Sequence, residues 1–214
     1  MALCPQIRRD GMNYLAHIYL SGESEELMLG NFIGDYVKGR QHRDFPAEVE
    51  RGILLHRKID EFTDQHEAVR ACNQILRPGY RKYAGVVTDI FFDHFLAANW
   101  QRYSTHSLKN ATRRFHGILM SNYRMLPARV KLFAPFLIQH KRLESYARLE
   151  GIEESLGILS RRTSLPEETP YAMKTLKDEY AQFDEAFARF FPEIIQFAIE
   201  EAGVNIKMPR LKRG

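Results

Sequence analysis

Apolar residues recur at three-four spacing along nearly the whole chain, while alternating runs of β-branched residues are almost absent. That pattern leaves little material for a sheet and predicts amphipathic helices packed on one another. The expected fold is all-α: a single-domain bundle of unequal helices. Met173, Leu176, Tyr180, Phe183, Phe187 and Phe190 form one such stripe and read as core. Ser24, before Glu25 and Glu26, reads as the N-cap of a helix ending near Gly39. Pro46 opens a second helix that runs to about Thr63, and a third covers about Glu67 to Arg77, stopping before Pro78. A fourth runs from about Ala84 to Tyr103, and others are expected near 107–122, 127–140, 142–161 and 167–202.

The chain has 214 residues, 44% of them hydrophobic, enough for one core of ordinary size. No apolar run is long enough to span a bilayer, so no membrane association is expected. Residues 1–11, MALCPQIRRDG, are too short and too polar for a secretory signal and read as an extension ahead of Met12. Residues 12–214 then form the domain. Cys4 and Cys72 make no metal or redox motif, which points to a reducing, cytoplasmic compartment. The net charge of +4 permits an acidic partner without demanding one. The runs ATRRFHGILMSNYRMLPARVK and KMPRLKRG are basic, and each alone reads as a solvated face.

Polar residues in greasy surroundings carry the chemistry. His56 and Asp60 are four apart, so both project from one face of the second helix. The fourth helix repeats the pattern in TDIFFDHFLAANW, with Asp89 and Asp93 four apart and His94 adjacent. A carboxylate buried without a partner is very costly, so each needs an Arg, a Lys or a metal ion. For one helix the ion pair or the satisfied core histidine is the ordinary explanation, whereas the repeat on two helices favours a metal site. Imidazole with carboxylate oxygen suits Mn, Fe, Zn or Mg. Gly30 and Gly34, inside LGNFIGDYVKG, each cost a helix about 1 kcal/mol relative to Ala. Their presence suggests that a backbone or a ligand comes close, with Asp35 alongside. His17 lies in the short apolar stretch NYLAHIYL, either as a ligand or as a histidine bonded to a backbone carbonyl.

The segments MNYLAHIYLS, GNFIGDYVKG, HRKIDEFTD and TDIFFDHFLAANW, in this order, resemble the bacterial acyl-carrier-protein phosphodiesterase family. The resemblance starts at Met12 and extends through LEGIEESLGILSRR. It implies an HD-like helical metal phosphohydrolase that removes the 4'-phosphopantetheine arm from holo-acyl carrier protein, with Mn2+ favoured and Mg, Fe or Zn as alternatives. It further implies metal ligation by His17, Asp35, His56, Asp60, Asp89 and Asp93, and catalysis by Asp35, Asp60 and His94. The order here is Asp93-His94, the reverse of the pair that names the HD superfamily. Arg57, Arg161 and Arg162 are candidates for phosphate or carrier-protein binding, since guanidinium forks suit both. Helix-end charge is the plainer explanation of the last two. Carrier proteins of this type are acidic, so Arg113, Arg114, Arg124, Arg129 and Lys131 are the expected docking cluster, with no nucleic acid as partner. Two alternatives stand beside this: an HD-like nucleotide or cyclic-dinucleotide hydrolase, and a non-catalytic helical module that binds an acidic protein or RNA.

Overall fold

The computed structural model describes residues 14–206; the expected extension 1–11 and Cys4 lie outside them. Among the described residues every regular element is helical, as the periodicity predicts. In chain order the α-helices are α1 (Tyr14–Tyr19), α2 (Glu25–Ile33), α3 (Ala47–Gln65), α4 (Glu67–Tyr80), α5 (Ala84–Ala98), α6 (Trp100–Tyr103), α7 (Leu108–Ser121), α8 (Ala128–Gln139), α9 (Arg142–Ser145), α10 (Leu149–Arg162), α11 (Thr169–Asp178) and α12 (Tyr180–Ala202). No described helix is long and apolar enough to cross a membrane.

Most expected boundaries hold within a few residues, and the differences have local causes. Ser24 caps α2, its hydroxyl accepting from Leu27 N at 3.2 Å. The helix ends sooner than expected, because Gly34–Tyr36 tightens into a 3-10 turn. Pro78 does not stop α4, which continues to Tyr80. The fourth segment breaks at Asn99, whose amide Nδ2 donates to Phe95 O at 3.0 Å. Segment 142–161 is likewise two helices, and 167–202 divides at Glu179.

α5 is the centre of the molecule. Nearly all its residues from Val86 to Ala97 are buried, and it packs against α1, α4, α10 and α12. Phe91 meets Phe183 edge-on at 5.2 Å, and Phe92 and Phe95 pack on Phe187. The predicted stripe is therefore core, except that Tyr180 is 37% exposed. α2 and α3 cross at glycines. A Cβ on Gly30 would stand 2.1 Å from Val49 O, and one on Gly52 would stand 2.3 Å from Leu27 O. The bare backbones therefore touch, and this contact sets α2, with the turn that follows it, directly against the His56 face of α3.

Candidate metal centre

His17 from α1 and His56 from α3 are both buried, and their rings stack with centroids 4.1 Å apart. Gly34 makes this possible, since a Cβ there would lie 2.3 Å from Cγ of the His56 ring. Asp60, one turn beyond His56, completes the group. Its Oδ1 is 3.3 Å from His17 Nε2 and its Oδ2 is 3.3 Å from His56 Nε2. Asp35, in the 3-10 turn, brings Oδ1 to 3.2 Å from the same His56 nitrogen. His17, His56 and Asp60 each offer one ligand atom, all within 4.8 Å of one another. Asp60 is 38% exposed, so the cluster opens to solvent on the carboxylate side.

Hydrogen bonds fix the orientation of His17. Asn31 Nδ2 donates to His17 O and to Ser21 Oγ, each at 2.9 Å, which turns Asn31 Oδ1 toward His17 Nδ1 at 2.7 Å. Nδ1 therefore carries the hydrogen, and Nε2 presents its lone pair to Asp60. An acceptor on the far ring nitrogen is what holds a metal-binding imidazole in register. The Nε2 atoms of both histidines are buried without a hydrogen bond of good geometry among the described residues. A lone pair facing a carboxylate oxygen is satisfied by an extra proton or by a cation between them, so the donor set fits a divalent ion. Without an ion, burial pulls the His56 pKa down, but Asp60 and Asp35 outweigh it and hold it up at about 10. Burial alone would raise the Asp60 carboxyl; the two imidazoles reverse this and take it well below the usual range.

The expected α5 residues have other partners. Asp93 accepts from Leu15 N at 3.0 Å and Ala16 N at 2.9 Å, so both its oxygens anchor the start of α1. It is wholly buried, and burial pushes its pKa up to about 8 against those two donors. These contacts hold the backbone just before His17, and Asp93 is not among the three converging groups. His94 Nδ1 donates to Tyr146 O at 2.8 Å, leaving Nε2 to accept from Tyr180 Oη at 3.0 Å. Both nitrogens are engaged within the protein, away from the cluster, and burial lowers the pKa of the ring. Asp89 lines a small cavity with Ala16, Ile59 and Thr63, next in sequence to His17 and Asp60, but is not one of the three converging groups. Sequence reasoning gave no role to Asn31; its signal was an amide in the middle of the apolar run LMLGNFIG.

Four of the expected basic residues are engaged at separate places. Arg57 Nη2 donates to Val37 O and Gly39 O, both at 3.0 Å, and ties down the segment after Asp35. Arg161 borders a surface hollow with Glu150, Glu153, Glu154 and Glu167, and Arg162 lies 5.7 Å over the Phe136 ring. Arg114 is bound to Glu23 and stands 3.8 Å from Glu25, so it leaves the expected docking cluster.

Fold and site define an all-helical protein with a histidine-carboxylate group able to hold a metal ion. The family model for acyl carrier protein phosphodiesterase matches residues 12–194, and the chain belongs to that family. Proteins named acyl carrier protein phosphodiesterase from Serratia proteamaculans and Photorhabdus laumondii are 32% and 30% identical to it. The alignments cover 87% of this chain and 97% and 95% of theirs. One from Klebsiella pneumoniae is 31% identical over 193 residues. No solved structure matches.

Proposed function

We propose that this protein is a metal-dependent phosphoric diester hydrolase that removes the 4'-phosphopantetheine arm from holo-acyl carrier protein, giving apo-carrier protein. The observation that carries this is the convergence of His17, His56, Asp60 and Asp35 at one point, in a chain whose relatives bear the carrier-protein name. Those relatives favour this reading over a nucleotide hydrolase or a non-catalytic module. An HD-like ancestry fits the helical setting and the donor types. His17 and His56, through Nε2, and Asp60 would hold the ion, with Mn2+ favoured by the carboxylate share and Mg, Fe or Zn as alternatives. A bound ion supplies an acidified water and neutralises phosphoryl oxygens.

The rest falls to this chain's own groups. The stacked imidazoles wall off one side, so the diester approaches from the open side, by Asp35 and Asp60. Asp35 takes the proton of the attacking water and returns it to the departing serine oxygen. The phosphorus–serine bond breaks, the water oxygen bonds to phosphorus, and both products are complete. Arg57 donates to Val37 O and Gly39 O in the segment just after Asp35, and that placement supports its phosphate role. For Arg161 only charge supports carrier contact, whereas Arg162 also has its place over Phe136. The free, buried Cys72 is compatible with a reducing compartment such as the cytoplasm.

The test combines metal analysis with mass spectrometry of holo-carrier protein. Purified protein should retain a divalent ion and convert holo to apo protein, and chelation should stop the conversion. Asp35→Ala should abolish conversion while keeping the helical circular-dichroism signal. An active Asp35→Ala protein would remove Asp35 from the chemistry, and an active metal-free protein would overturn the reading.

A further inference from the structure

α8 is anomalous for a surface helix. Its sequence, ARVKLFAPFLIQ, is apolar on nearly every side, yet only Val130, Ala134 and Leu137 are buried. A helix that is hydrophobic all round normally lies inside a core. Leu132 is instead 83% exposed, far more than any other large hydrophobic residue among those described. Pro135 beside it is exposed, and Phe136, one turn on, is half-buried beneath Arg162. An uncovered apolar face of this kind marks an interaction site.

Two further observations say what covers it. The first is charge. No Asp or Glu stands between Asp93 and Glu144, a run that carries nine Lys and Arg. Arg124 and Lys131 are held beside the face, Lys131 Nζ donating to Arg124 O at 2.8 Å. The second is position. Phe133, the neighbour of Leu132, packs on Tyr36 at 5.4 Å and on Tyr14 at 5.9 Å. Tyr36 directly follows Asp35, and Tyr14 begins the helix that carries His17. Through Phe133, α8 is thus packed on both segments that carry the metal centre, the turn of Asp35 and the helix of His17.

We propose that the outer face of α8, centred on Leu132 and rimmed by Arg124, Lys131 and Arg162, docks an acidic amphipathic helix of the carrier-protein substrate. This deepens the function proposed above and rests on it. Leu132 enters an apolar gap between the partner's side chains while the basic rim meets its carboxylates, which is helix-on-groove recognition with an apolar anchor inside a polar ring.

Leu132→Asp tests this without touching the core. Affinity for carrier protein is measured by calorimetry on the full chain in EDTA, so that no turnover is needed. Activity is measured with Mn2+ on holo-carrier protein and on bis(p-nitrophenyl) phosphate. The variant should weaken carrier-protein binding, and lower kcat/KM on it, by about tenfold or more, the size of a hot-spot loss. Hydrolysis of the small diester should stay within about twofold, since the diester never meets the anchor. Unchanged carrier-protein affinity in the variant, or no affinity in the parent chain, overturns the proposal. So does a variant that loses binding to phosphatidylglycerol vesicles while still binding carrier protein, which would make α8 a membrane-facing helix. Binding is read without turnover, so a protein that binds carrier protein through Leu132 but hydrolyses nothing refutes the chemistry and not the docking.

Discussion

Asn31 makes three hydrogen bonds inside the core, and one of them sets the His17 tautomer. In Asn31→Ala the ring can turn or move its hydrogen, and Ser21 Oγ and His17 O each lose a donor. Metal affinity should fall about 10–100-fold, the usual effect of removing the hydrogen-bond partner of a ligating imidazole. Unfolding free energy should drop by about 1–3 kcal/mol, the cost of stranded buried polar groups. Metal titration and urea melts read the two effects separately. His56 gives a pH signature. Its metal-free pKa of about 10 means that the ring is protonated at neutral pH, and a metal can take Nε2 only by expelling that proton. Apparent affinity for Mn2+ should therefore rise with pH up to about 10, and calorimetry in buffers of different ionisation enthalpy should register proton release. Uptake without proton release would show that His56 is not a ligand.

At the scale of elements, the two glycines of α2 and the turn after it bear differently on folding and site. Gly30 faces backbone, so Gly30→Ala should push α2 from α3 and lower stability by about 1–3 kcal/mol or more, with or without metal. Gly34 faces Cβ and the ring of buried His56, so Gly34→Ala should displace that ring, lowering the metal-free stability by about 1–3 kcal/mol and cutting metal affinity as well. Thermal melts with and without Mn2+ distinguish the two. The sequence signalled close approach at both positions without saying to what. α3 was legible because its apolar face is one-sided, so His56 and Asp60 could only point inward together. α5 was not, because a helix buried on all sides gives no hint of which neighbour meets each polar residue. Asp89 and Asp93 look like a repeat of His56 and Asp60, yet Asp93 ends on the backbone of α1, a contact between segments 77 and 78 residues apart. The breaks at Asn99 and Glu179 were also hidden, since the apolar period continues across them.

For the molecule as a whole, the site is a small addition to a large apolar core. Loss of the ion should therefore leave the helical signal in place, unlike a zinc finger, which unfolds without metal. Saturating metal should still raise the melting temperature by mass action, by about 2.7 kcal/mol of stability at a hundredfold excess over Kd. Collapse of the circular-dichroism signal on chelation would show that the ion holds the fold. The fifty-residue run without an acid between Asp93 and Glu144 predicts a salt effect as well. Raising ionic strength should lower kcat/KM on holo-carrier protein more than on a small diester, because screening acts on the encounter of two charged surfaces. Equal sensitivity on both substrates would make the basic faces mere solvated surface.

The touching backbones of Gly30 and Gly52 also bear on how this protein can change. An ordinary core pair drifts by exchange, one side chain growing as its neighbour shrinks. Here neither partner can shrink, because each already ends at Cα, and the opposing atoms are Val49 O, Leu27 O and the other glycine's Cα. A saturation library should find both positions empty of alternatives, and a search for second-site suppressors of Gly30→Ala should recover none at position 52. The crossing that places His56 beside Asp35 is a point of no epistatic escape, while the side chains around it remain free to vary.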